Sequence, residues 1–165
     1  MKHLWSPWRM TYIQQENVEE GCVFCNALSG DDDATSLVVY RGDHSFAILN
    51  RYPYTSGHIM IVPNEHSASL QALSSQARSE VMELAARALT VLSGAYHPEG
   101  YNLGMNLGQV AGAGIAEHVH LHIVPRWGGD TNFMSTTAQT RVLPETLEDT
   151  YQRIKKAWDM YGQAS

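Results

Sequence analysis

The segment His118-Val-His-Leu-His-Ile-Val124 places three histidines at alternate positions. Alternate side chains of an extended strand share a face, so His118, His120 and His122 are expected together, with Val119, Leu121 and Ile123 turned to the core. Neighbouring histidines on that face stand roughly 6.5–7 Å apart along the strand. Imidazole titrates near neutrality and can act as base, acid, nucleophile or metal ligand. A single ion can take two ligands from such a strand, but the third lies too far along it. The other chemistry is nucleophilic, with the central imidazole attacking and its neighbours orienting it. The glycine-rich stretch 108–114 favours the second reading. Gly108, Gly112 and Gly114 let backbone approach a ligand closely and offer N–H groups to anionic oxygens, which suits phosphate chemistry. A second set of reactive groups is Cys22-Val-Phe-Cys25, which alone fits half a metal site, a redox pair or two buried thiols.

These residues need a scaffold, and the hydrophobic pattern supplies one. Residues 36–41, 45–50, 57–62, 101–107 and 117–125 read as strands; the first two form a hairpin at Gly42-Asp43, and Pro63 ends the third. Between 67 and 95, apolar Leu70, Leu73, Val81, Leu84, Ala85, Ala88, Leu89 and Leu92 indicate an amphipathic helix, with Gly94 near its end. A C-terminal helix is expected over 144–160, with Pro144 near its start and Gly162 after it. Five strands with helices between and after them predict one α+β domain with a mainly antiparallel sheet.

Composition narrows the function classes. The chain has 165 residues, is 44% hydrophobic and has a formal charge of −6 with histidine neutral. It can bury a core, suits one domain and carries no basic block for broad binding of nucleic acid. No signal-peptide run or membrane-spanning stretch is visible, so no membrane partner and a cytoplasmic setting are expected. In a reducing compartment the close cysteine pair reads as metal-binding or redox rather than as a stabilising disulfide.

The histidine segment resembles the signature of the histidine triad (HIT) family of nucleotide hydrolases and transferases, His-φ-His-φ-His-φ-φ with φ apolar. Phe46-Ala-Ile-Leu-Asn50 and Gly57-His-Ile-Met-Ile-Val-Pro63, with His66, are similar to the family's upstream strands. Three stretches are similar to its bacterial branch that includes diadenosine tetraphosphate phosphorylases: Leu4 to Tyr12, Asn106 to His118, and Pro125 to Phe133. The resemblance implies a single HIT domain, with an N-terminal arm over 1–21, a core over 22–126 and a C-terminal loop and helix over 127–165. It implies His120 as nucleophile on the α-phosphorus, His122 and His58 at the phosphates, and Asn50, Asn106, Gly112 and Gly114 toward the nucleotide. A nucleotidyl-histidine would pass to phosphate or to water, and no metal is required for that covalent step. The family's bacterial members also imply structural zinc on Cys22, Cys25, His66 and His118, and a homodimer or higher homo-oligomer.

One departure bears on substrate. Some members carry Gln-Ser or Gln-Thr shortly before the first triad histidine, whereas this chain has Ala113-Gly-Ile-Ala116. That disfavours a simple nucleoside phosphoramidase and fits the phosphorylase branch. The rival readings are a general HIT nucleotidyl hydrolase or transferase, a non-catalytic nucleotide-binding regulator and a zinc-dependent interaction module. His3, His44 and His97 are expected at the surface, Asp31–Asp33 as a solvated turn, and Arg126 either on phosphate or in solvent. Trp127 and Phe133 are read as substrate wall, subunit contact or ordinary packing.

Overall fold

The computed structural model describes residues 21–130 and 144–162. The expected N-terminal arm with its tryptophans, and most of the polar loop that includes Phe133, lie outside the described residues.

Five strands form one sheet in the order β1-β2-β3-β5-β4: β1 Val38–Arg41, β2 Ser45–Leu49, β3 Ile59–Pro63, β4 Gly100–Gly104 and β5 Leu121–Arg126. Every pairing is antiparallel. β2 and β3 are buried along their whole length, which is why they read as apolar runs rather than as an alternation. The helices are α1 Val23–Ser29, the single turn α2 Asp33–Ser36, α3 Ser75–Tyr96 and α4 Leu147–Tyr161. α3 lays Val81, Leu84, Ala85, Ala88, Val91 and Leu92 into the core, and α4 adds Ile154 and Trp158. α4 also seals the edge strand β1: Tyr151 Oη donates to Val38 O at 3.2 Å and Lys155 Nζ to Val39 O at 2.9 Å.

The structure moves several expected boundaries, each for a local reason. The long helix starts at Ser75, not near residue 67, because Ser74 caps it through a hydroxyl that accepts the Ala77 N–H at 3.1 Å. Ahead of it, Ser67 gives its carbonyl to Val119 N–H at 2.7 Å, so this stretch becomes a shelf for the histidine segment. Gly94 does not end the helix. A Cβ there would meet the Tyr161 ring at 2.6 Å, so the glycine is a packing site between α3 and α4. The helix closes instead at His97, in a left-handed C-cap with φ 47°. Asp31–Asp33 is more than a solvated turn: Asp32 caps α2, and Asp33 pairs with Arg41 at 2.7 Å.

Arg41 also fastens α1, the helix that follows Cys22. Its guanidinium donates to the carbonyls of Ala27 at 3.1 Å, Gly30 at 2.9 Å and Leu28, at the end of the helix where carbonyls lack intrahelical partners. Arg41→Ala is expected to lower stability by about 2 kcal/mol and to speed amide exchange within α1, with Arg41→Lys failing to restore it. Urea unfolding and hydrogen exchange check this; an unchanged midpoint would contradict it.

Candidate active site and metal centre

The strand expected over 117–125 forms its ladder only from Leu121, so His122 stands in β5 while His118 and His120 sit just ahead of it. Ser67 holds that leading segment through Val119. The rings converge rather than keep the backbone spacing: the His120 and His122 centroids are 4.7 Å apart.

His120 is 5% exposed, and its Nδ1 lies 2.8 Å from the carbonyl of His118. A carbonyl only accepts, so Nδ1 carries the proton and Nε2 keeps its lone pair. Burial pushes the His120 imidazole below its usual pKa, against an opposing pull from that carbonyl, and this favours the neutral form a nucleophile requires.

A second pair sits beside it. β3 and β5 pair Met60 with His122, and His58, two residues before Met60, therefore lies on the same face. His58 is buried and its Nε2 is 2.9 Å from His122 Nδ1. Its own Nδ1 receives the Tyr54 N–H at 3.2 Å and the Asn50 amide at 3.4 Å. Nδ1 of His58 is thus the acceptor, its Nε2–H donates to His122 Nδ1, and His122 holds its proton on Nε2. Asn50 is oriented by accepting Tyr52 N–H at 2.9 Å, so its first role is to brace His58. Tyr54 covers the pair, with ring centroids 4.7 Å from His58 and 6.1 Å from His122.

Across the sheet β4 pairs Gly104 with His122, and a Cβ at Gly104 would meet nothing within 4 Å, so open space adjoins His122. Asn106 follows two residues later, at the start of the glycine-rich loop. Gly108 and Gly112 take φ values of 84° and 91°, which glycine alone adopts without strain. The N–H of Gly112 bonds Gln109 O and that of Ala113 bonds Gly108 O, so these amides first hold the loop's own turn. Gly114 is exposed in the stretch that leads to His118. Arg126, by contrast, is engaged by Asp130 and Asn102, and pins β5 to β4. His44 and His97 are exposed, as expected.

The four expected metal donors meet. One donor atom from each of Cys22, Cys25, His66 and His118 lies within 4.8 Å of all the others. His118 Nδ1 is 3.3 Å from Cys22 Sγ and 3.8 Å from Cys25 Sγ, and His66 Nδ1 is 3.3 Å from Cys25 Sγ. A tetrahedral zinc with S and N ligands separates such atoms by about 3.5 Å. His118 Nε2–H donates to Pro63 O at 2.9 Å, which fixes the tautomer with Nδ1 as ligand. Burial and the adjoining Cys22 push the Cys25 thiol up; a cation held there would supply the opposite field and favour the thiolates. Four protein donors would close the shell, which is the character of a structural site.

Fold, triad and paired upstream histidine together define a nucleotide-handling HIT domain, and the HIT domain model matches residues 31–129. The chain belongs to the HIT family. It is 36% identical over 165 residues to an AP-4-A phosphorylase of Mycobacterium tuberculosis, covering 96% of this chain and 85% of that protein. It is 31% identical over 105 residues to an adenosine 5'-monophosphoramidase of Schizosaccharomyces pombe, covering 64% and 74% of the two chains. Among solved structures, a zinc-bound histidine triad protein of Mycobacterium smegmatis superposes with a TM-score of 0.70 at 27% identity, over 88% of this chain and 98% of that one.

Three residues of the site carry no signal in the sequence. Pro63 acts through its carbonyl, Tyr54 sits in an irregular loop, and Phe24 reads as core until its contacts are seen. The donor geometry predicts one zinc per chain by atomic spectroscopy, and loss of that zinc in Cys25→Ser. Metal-free protein after purification without chelators would contradict it.

Proposed function

We propose that this protein cleaves the phosphoanhydride of dinucleoside polyphosphates by nucleotidyl transfer to His120. The observation that carries this reading is the fixed tautomer of His120: Nδ1–H is committed to the His118 carbonyl, leaving Nε2 as the attacking atom. Nε2 attacks the α-phosphorus, a P–N bond forms, and the P–O bond to the remaining polyphosphate breaks with its electrons on the departing oxygen. His122, whose proton sits on Nε2 because His58 donates to its Nδ1, is placed to donate to phosphate oxygens or the departing oxygen. Asn50, Asn106, Gly112 and Gly114 are assigned to nucleotide contact. In the second half, an oxygen of inorganic phosphate attacks, the P–N electrons return to Nε2, and a nucleoside diphosphate leaves. Similarity to the AP-4-A phosphorylase of M. tuberculosis supports phosphate over water as the acceptor.

Zinc on Cys22, Cys25, His66 and His118 is read as structural, anchoring the histidine segment, and the zinc-bound histidine triad protein of M. smegmatis supports it. A cytoplasmic setting suits thiols held as ligands, and no helix among the described residues is long and apolar enough to cross a membrane. We also assign a homodimer through β4. It is an outer strand of the sheet, at the edge opposite β1, and Leu103, Leu107 and Val110, on it and just after it, expose 43%, 46% and 106% of their surface.

With diadenosine tetraphosphate, the expected products are ADP and ATP only when phosphate is present. AMP and ATP released without phosphate would instead indicate hydrolysis, and tight binding without turnover a regulator. His120→Ala is expected to lower turnover by at least about 10⁴-fold, and His122→Ala by about 10²–10⁴-fold. Full activity in His120→Ala would refute the nucleophile assignment.

A further inference from the structure

Phe24 stands between the two cysteines in the first turn of α1 and is 2% exposed. It belongs to the core with Ala27, but its ring does more than fill volume. Its centroid lies 5.4 Å from that of His118, edge-on at 80°, and 4.9 Å from that of His120, tilted at 53°. The same His118 sends its side chain to the cysteines and its carbonyl to His120 Nδ1.

The torsion that turns an imidazole is soft and nearly two-fold. A half-turn of His120 would exchange Nδ1 for a ring carbon, break the bond to the His118 carbonyl and leave the tautomer unassigned. One hydrogen bond is a weak guard against that turn. The His122 ring at 4.7 Å is one wall, and the Phe24 ring is another. An aliphatic side chain would satisfy the burial at this position, but only a flat ring meets both imidazoles in tilted and edge-on geometry. Because Cys22 and Cys25 bracket Phe24, the backbone that fixes the metal donors also fixes this wall.

We propose that Phe24 is a positioning residue that holds the His120 imidazole in its Nδ1–H orientation and ties that orientation to the Cys22–Cys25–His66–His118 cluster. The kinetic part of this inference rests on His120 as nucleophile; the structural part does not.

The test uses the full chain as purified with zinc, and compares wild type, Phe24→Leu and the unbranched, more adaptable Phe24→Met. Imidazole ¹⁵N NMR reads the tautomer, with the His120 signals assigned by their loss in His120→Gln. Wild type is expected to show one tautomer with hydrogen on Nδ1. Both variants should keep one zinc per chain yet show His120 nitrogen shifts drawn together by tautomer exchange. Their kcat on diadenosine tetraphosphate should fall about ten- to hundredfold while KM stays within about threefold. Should Phe24→Leu not fold, Phe24→Met decides. An unchanged His120 signature overturns the proposal, as does loss of zinc alongside the tautomer change; where the nucleotidyl adduct forms on His120, a disturbed tautomer with unchanged kcat overturns its kinetic part. If His120 is not the nucleophile, no nucleotidyl adduct forms on it, while the tautomer readout still decides the role of Phe24.

Discussion

Much of this molecule is arranged around one hydrogen bond, from His120 Nδ1 to the carbonyl of His118 at 2.8 Å. That bond decides which nitrogen of the central imidazole is a lone pair, and nothing in the histidine's own chemistry would decide it. The carbonyl is a reliable partner because His118 is itself fixed. Its Nε2–H meets Pro63 O, its Nδ1 faces the cysteines, and the next residue, Val119, is bonded to Ser67. The late start of the long helix serves the same end, since a helix running through residue 67 would have used the carbonyl that Val119 needs.

Two histidine devices therefore lie side by side with different logic. At His120 a backbone acceptor fixes the proton inward, so that Nε2 keeps its lone pair. At His122 a donor, His58 Nε2–H, fixes the proton on the far nitrogen. The Tyr54 N–H and the Asn50 amide enforce the second arrangement from behind His58. Two neutral imidazoles side by side are thus set in opposite polarities. A protein of net charge −6 needs such local devices to receive an anionic ligand, since its overall field does not attract one.

The alternating histidines were legible because a period of two survives translation into a strand, even though the ladder starts only at Leu121. The five strands were legible from their apolar runs and turn residues, the long helix from its apolar spacing, the C-terminal helix from Pro144 and Gly162 at its ends, and the cysteine pair from its closeness. What stayed hidden depended on contacts between distant residues. Gly94 looks like a helix stop until Tyr161 is seen against it. Helix α1 carries no apolar stripe long enough to announce it, and is held at its end by Arg41, a residue of a strand. Arg41, Phe24 and Pro63 act through partners that no spacing rule connects to them.

The central claim is a covalent bond between His120 and a nucleotide, and trapping that bond tests it most directly. Wild-type protein mixed briefly with diadenosine tetraphosphate in phosphate-free buffer, quenched at alkaline pH and digested, is expected to yield one peptide heavier by an AMP unit, with the modification on His120. An adduct on another residue, or turnover on the same timescale with no adduct on His120, would contradict the account.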